Sequence, residues 1–166
     1  MNTTDYTTTT VKNPIGLNAE YTSLLTERLN DLLANYQVFY QNVRGFHWNI
    51  KGNKFFELHV KFEELYTNLQ EKIDELAERV VTLGGTPLHS FSDYLKTTEV
   101  QEVKNVSNDL EGVSSILSTF KLVITKQREL LRLSAEADDE GTNSLMSDYI
   151  REQEKLVWMY GAYLKN

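Results

Sequence analysis

Apolar residues recur at intervals of three and four along most of this chain, the spacing typical of helices that bury one face. Four long segments carry the pattern, and none alternates with a period of two between turn signals, as a strand would. Proline, which interrupts helices, occurs only at Pro14 and Pro87. The sequence therefore predicts an almost entirely α-helical protein.

Asparagine, glycine, proline and acidic residues mark the ends of these segments. The predicted long helices run from the N-cap candidate Asn18 to the Lys51–Asn53 turn, from that turn to Gly84, from Val113 to Leu131, and from the N-cap candidate Thr142 to Tyr163. On the second helix, Phe56 and Phe62 are expected in the buried stripe.

The connection between the second and third long helices covers residues 88–107, which is too long for a hairpin turn, and residues 90–95 are predicted to form a short helix within it. Four helices with one long crossover after the second match the connectivity of ferritin-like bundles. We therefore expect an all-α, ferritin-like four-helix bundle over residues 17–166. Residues 1–16 are expected to be a flexible tail, because the Thr-rich start offers little to bury.

Composition limits the chemistry that the chain can perform. It has 166 residues and no cysteine, so disulfides and thiolate ligands are excluded, and any metal must be held by histidine and carboxylate. No stretch approaches the roughly 20 apolar residues of a membrane span, and the N-terminus lacks the apolar core of a signal peptide. We expect a cytoplasmic protein without a membrane partner, association with the nucleoid being the alternative.

The charge balance bears on the choice of partner. The formal net charge is -7, whereas DNA binding draws mainly on lysine and arginine. The tail over residues 1–16 has Lys12 against Asp5, no arginine precedes Arg28, and the far end of the chain offers only Lys165. Direct DNA binding is therefore not expected, and cations suit this surface better.

Metal-ligand residue types are concentrated on the second helix. At about 100° per residue, His59, Glu63, Asp74 and Glu78 fall within one stripe of the helix surface. His59 and Asp74 are nevertheless separated by about 22 Å along the axis, too far for one metal ion. An antiparallel copy of this helix, related by a two-fold axis near its middle, would place one chain's His59 and Glu63 beside the other's Asp74 and Glu78. Two equivalent sites per dimer would follow.

Carboxylates four residues apart on a helix have an alternative explanation. They usually form a solvated face, and Lys72 and Arg79 are close enough in sequence to pair with Asp74 and Glu78. Taken alone, these two acidic residues indicate an exposed face more often than a site.

The histidines are more informative. His47 and His59 bracket a helix–turn–helix corner and would face the same end of the bundle, whereas His89 has no partner in the sequence and is expected to be structural or exposed. Di-iron bundles that hold metal within one subunit carry Glu-x-x-His motifs. The residues three positions before the histidines here are Arg44, Phe56 and Thr86. A site within one bundle is therefore disfavoured.

These residues also carry a family resemblance, which covers the chain from Leu17 onward. The segments that resemble the signature of the Dps miniferritins are His47–Gly52, Phe56, Leu58–His59, Phe62–Tyr66 and Ile73–Arg79. The resemblance implies a hollow dodecameric shell with ferroxidase centres at its two-fold interfaces. Its implied function is oxidation of Fe(II), typically by hydrogen peroxide, with storage of the ferric mineral and protection of the cell and its DNA.

Residue by residue, the resemblance implies that iron is bound between His47, His59 and Glu63 of one subunit and Asp74 and Glu78 of its partner. The family more often has aspartate at the position of Glu63. The longer side chain keeps the carboxylate and is expected to shift the weaker, second iron position.

The resemblance assigns three further roles. Trp48 would take up oxidising equivalents beside the iron. Asp139 and Asp148 would line three-fold pores, where Ser144 stands at a position commonly occupied by aspartate, which implies a less negative iron entrance.

Two alternative functions remain open at this point. One is a nucleoid-compacting DNA-binding module, which the composition of the tail disfavours, and the other is a zinc-holding or purely structural helical protein.

Overall fold

The computed structural model describes residues 11–165, so most of the threonine-rich tail and the last residue lie outside the described part. Within this range the chain forms five helices, which are α1 (Ala19–Asn49), α2 (Phe55–Thr82), α3 (Phe91–Thr97), α4 (Asp109–Glu136) and α5 (Glu140–Tyr163). The predicted all-α bundle, with a crossover that contains a short helix, is confirmed. Strand-type pairing in the described range is limited to an isolated bridge between Lys12 and Asn18.

Side-chain caps explain where the helices begin. Asn18, the predicted N-cap of α1, accepts hydrogen bonds from the backbone N–H groups of Glu20 and Tyr21. Ser90 caps α3 and Asn108 caps α4 in the same way. Each cap satisfies an amide that the helix itself leaves unpaired.

The prediction that Thr142 caps the last helix is wrong. Asp139 caps α5, accepting from the backbone N–H of Thr142 at 3.0 Å. Thr142 is itself buried in the first turn, and its hydroxyl donates to Asp139 at 2.5 Å. Arg79 of α2 donates to both side chains, so the cap is also a cross-link between helices. The positive charge of Arg79, distant in the sequence, favours the Asp139 carboxylate over the Thr142 hydroxyl as the cap.

The core lies between α1, α2, α4 and α5, and α1 is its centre because it packs against α2, α3 and α4. Phe39 of α1 meets Phe120 of α4 edge to face, with ring centroids 5.2 Å apart. Phe62 is fully buried as predicted, but Phe56 is 83% exposed. Six residues correspond to about 600° of helix rotation, so the two rings lie on different faces of α2.

A polar trio lies inside this apolar core. Tyr36 of α1, Gln127 of α4 and Gln153 of α5 are all completely buried. The Gln127 amide donates to the Tyr36 hydroxyl at 2.7 Å and to the Gln153 carbonyl at 2.9 Å, and the Gln153 amide also donates to Tyr36. Burial raises the pKa of Tyr36 well above its ordinary value, so the phenol stays neutral.

None of the described helices has the length and apolar composition needed to cross a bilayer.

Candidate metal centre

The corner between α1 and α2 brings two histidines together. His47 lies in the last turn of α1 and His59 in the second turn of α2. Gly52 in the connection has a φ of 103°, a conformation that side chains with a Cβ rarely adopt, and this allows the chain to reverse over a few residues. The histidine rings stack with centroids 3.8 Å apart and an interplanar angle of 18°.

Each imidazole is held by the backbone of the other histidine. His47 Nδ1 lies 2.7 Å from the carbonyl oxygen of His59, and His59 Nδ1 lies 2.9 Å from the carbonyl oxygen of His47. A carbonyl oxygen can only accept, so both Nδ1 atoms must carry the proton. In the neutral rings, both Nε2 atoms are therefore free to bind a metal.

Glu63 completes a group of three side chains that could hold a metal ion. It lies one helical turn after His59, and one ligand atom from each of His47, His59 and Glu63 lies within 4.8 Å of the other two. Burial decreases across this histidine–glutamate cluster, with His47 buried, His59 half-buried and Glu63 exposed. The cluster is thus anchored in the bundle and open on one side.

Aromatic side chains fix the two rings further. Phe55 stacks on His59 with ring centroids 5.0 Å apart, and Tyr66 and His47 lie edge to face with centroids 5.3 Å apart. Sequence reasoning missed both contacts, although the four-residue spacing of Phe55 and His59 was an available signal. The paired carbonyl contacts had no such signal, because they depend on how the corner closes.

Trp48 is exposed beside this cluster. The guanidinium of Arg44 lies over the Trp48 ring, 4.6 Å from the ring centroid. The same guanidinium approaches the rings of Tyr40 and Tyr66. Trp48 is 57% exposed, so it is not part of the core. Its predicted redox role remains a prediction.

The carboxylates of Asp74 and Glu78 are exposed on α2 and do not belong to the cluster of the same chain. The cations expected to neutralise them are engaged elsewhere. Lys72 pairs with Glu152 at 2.5 Å, and Arg79 pairs with Asp139 at 2.5 Å. Within residues 11–165, Asp74 and Glu78 form no ion pair. The alternative that these two carboxylates pair with Lys72 and Arg79 on a solvated face is therefore not supported.

Of the two residues expected at a pore, Asp139 is buried and Asp148 is exposed. Asp139 is 2% exposed, and its carboxylate is occupied by Thr142 and Arg79, which favours a structural role over the pore-lining role implied by the resemblance. Asp148 has an exposed side chain paired with Arg151 at 2.8 Å. Its role at a pore stays a prediction. His89 is exposed and its Nδ1 contacts the Pro87 carbonyl.

A four-helix bundle with a histidine–carboxylate cluster at the corner of its first two long helices defines a ferritin-like protein, and the family model of the ferritin-like domain matches residues 26–166. Comparison with solved structures agrees. A Dps protein from Vibrio cholerae, described as a member of a superfamily of ferritin-like diiron-carboxylate proteins, superposes with a TM-score of 0.92 at 55% identity, covering 93% of this chain and 97% of that one. A Dps protein from Bacillus brevis superposes with a TM-score of 0.85 at 36% identity, covering 88% and 98%.

Among curated proteins, a DNA protection during starvation protein from Porphyromonas gingivalis is 43% identical over 148 residues, which are 89% of this chain and 93% of that protein. An uncharacterized protein from Haemophilus influenzae is 54% identical over 151 residues, 91% and 94% of the two chains. The chain belongs to the Dps family of miniferritins.

Proposed function

We propose that this protein is a ferroxidase and iron store that oxidises Fe(II) at sites shared between two subunits. The observation that carries the proposal is the histidine–glutamate cluster, in which two imidazoles are fixed with Nε2 free beside an exposed carboxylate. Two imidazoles with a few carboxylates are ligands that suit iron, whereas structural zinc sites are usually closed tetrahedra that contain cysteine.

A second subunit would complete the ligand set. The cluster contributes three ligands from one side and leaves open positions, while Asp74 and Glu78 are exposed and unpaired within the described residues. Antiparallel contact between two copies of α2 would bring these carboxylates to the partner's cluster. We propose a homo-oligomer built on such dimers, a dodecameric cage enclosing the mineral.

The residues of this chain would act by binding and orienting the substrate. Neutral His47 and His59 would bind Fe(II) through Nε2, because the carbonyl contacts hold their protons on Nδ1. Carboxylates from both chains would offset the added charge when Fe(II) becomes Fe(III). With hydrogen peroxide as oxidant, two Fe(II) ions and two protons convert one peroxide into two waters, so no hydroxyl radical is formed.

Removal of Fe(II) and peroxide would also protect DNA without DNA binding. The curated relative from Porphyromonas gingivalis is named for DNA protection. The acidic chain, with a net charge of -7, favours this indirect route in the cytoplasm over direct contact with phosphates.

The test is anaerobic loading of Fe(II) followed by addition of peroxide, with ferric absorbance and peroxide consumption recorded. We expect two Fe(II) oxidised per peroxide, and a rate that collapses in His59→Ala. The matched control is His89→Ala, the same substitution at an exposed histidine outside the cluster, which should leave the rate unchanged. Oxidation no faster than in buffer, or equal rates in the two variants, would exclude the proposed centre.

A further inference from the structure

A groove of about 360 Å³ separates α2 from α5. Its lining is mostly apolar, from Leu58, Leu65, Leu156, Met159, Tyr160 and Tyr163. Met159 is 46% exposed, at the edge of this groove. The volume falls within the usual range of small-molecule sites, roughly 300–1,000 Å³.

Polar contacts hold the two walls together at one end of the groove. There, Asn68 of α2 donates to Glu152 of α5 at 2.6 Å, and Lys72 of α2 donates to the other oxygen of the same carboxylate. Toward the other end, Tyr163 of α5 donates to Asp109 of α4 at 2.8 Å, which fixes the α5 wall against a third helix. Leu58 and Asn68 mark the limits on α2, which makes the groove about 15 Å long.

The charges around the groove are already paired. Lys61 and Glu64, both on its rim, bind each other at 2.7 Å, and Glu152 is engaged by Asn68 and Lys72. The charged groups at the groove are therefore already neutralised, and a charged ligand would remain unpaired against an apolar lining, which is costly. The groove therefore favours an uncharged molecule.

Two polar groups in the lining lack a good partner among the described residues. The side-chain oxygen of Asn68 is buried at one end of the groove and accepts no hydrogen bond. The Tyr160 hydroxyl contacts only the backbone carbonyl of Lys61, at 3.5 Å, well beyond the length of a normal O–H···O hydrogen bond. Burial, with a smaller effect from the charge of Glu64, raises the pKa of Tyr160 well above its ordinary value, so the phenol keeps its proton. It can donate that proton to a ligand.

We propose that this groove binds an elongated, uncharged apolar molecule carrying one hydrogen-bond acceptor, such as a ketone or an ester, which accepts from Tyr160. The ligand would bridge the helix that carries the metal-ligand residues and the C-terminal helix. This inference is independent of iron oxidation, because none of the groove's lining residues belongs to the candidate metal centre.

The probe is Prodan, an uncharged naphthalene dye with one ketone whose emission shifts to the blue in apolar surroundings. It is titrated into the assembled wild-type protein without iron. Tyr160→Phe removes the donor and should weaken binding about fivefold. Leu156→Trp fills the groove and should abolish binding. Tyr94→Phe is the matched control, since its hydroxyl donates to the Leu88 carbonyl in the crossover, away from the groove.

The proposal stands if wild type binds Prodan saturably, both groove variants weaken binding and the control does not. Absence of saturable binding, or unchanged affinity in Tyr160→Phe, overturns it. If Leu156→Trp fails to assemble, as size-exclusion chromatography would reveal, the comparison of Tyr160→Phe with Tyr94→Phe decides alone. Equally tight binding of an anionic sulfonated naphthalene dye would also overturn it, because the paired charges should disfavour that ligand.

Discussion

Complementation between two inactive variants tests whether each metal site needs two chains. His59 and Glu78 lie on the same helix, 19 positions apart in the sequence, or about 28 Å along its axis. One chain therefore cannot bring both side chains to one iron. His59→Ala and Glu78→Ala should each be nearly inactive alone, because every site in either assembly lacks one ligand.

Mixing the two variants by unfolding and reassembly should restore a definite fraction of sites. A site is intact only when its histidine half comes from the Glu78→Ala chain and its carboxylate half from the His59→Ala chain. With random pairing each condition holds for half of the chains, so about one quarter of all sites should be complete. The initial rate of Fe(II) oxidation should therefore reach about one quarter of the wild-type rate.

The control mixes His59→Ala with a chain that carries both substitutions. This mixture has the same reassembly history, but no chain supplies His59, so no site can be restored. Native mass spectrometry establishes whether mixed assemblies form. If they form and the first mixture stays as inactive as its parents, the shared site is refuted, since a site within one chain could never be rescued by mixing.

Three other predictions concern stability, pH and DNA. Gly141→Ala should lower the melting temperature, because its Cβ would lie 2.8 Å from the guanidinium of Arg79, which is pinned by the α5 cap. Gly161→Ala on the same helix meets nothing within 4 Å and should stabilise by about 0.5–1 kcal/mol. Burial, followed by the hydrogen bond to Asp109, raises the pKa of Tyr163 from 10.0 to about 12, so its contribution to stability is complete below pH 10 and lost as the pH rises to 12. Alkaline denaturation of Tyr163→Phe should lack this component, and identical curves for the two proteins would contradict it. Plasmid DNA should not be retarded in gels at physiological salt, and retardation that persists there would point to a basic surface formed on assembly.

Local patterns predicted the parts of the fold that depend on local interactions. The helical spacing, the Asn18 cap and the stop at Gly84 act within a few residues, and each has the predicted role. The local pattern favours Thr142 as the cap, whereas the contact that favours Asp139 comes from Arg79, 60 positions away. Helix periodicity contains no information on such distant partners.

The same distinction between local signals and tertiary contacts applies to the candidate site. The corner between two helices was enough to predict that His47 and His59 meet, because a short turn forces the ends of adjacent helices together. The contacts that fix their protons, and the occupation of Lys72 and Arg79 by other carboxylates, depend on tertiary packing. These contacts determine the chemistry of the site, because they leave Nε2 of both histidines free and leave Asp74 and Glu78 without an ion pair among the described residues.

The buried trio of Tyr36, Gln127 and Gln153 has a consequence for the uniqueness of the fold. Apolar contacts are non-directional, so helices packed through leucine and phenylalanine alone could slide past one another at little cost. A shift of α5 by one residue would move Gln153 about 1.5 Å along the axis and turn it by about 100°. The stranded amide and phenol groups would each cost about 1–3 kcal/mol. Three side chains spread over 117 positions thus fix the register of three helices.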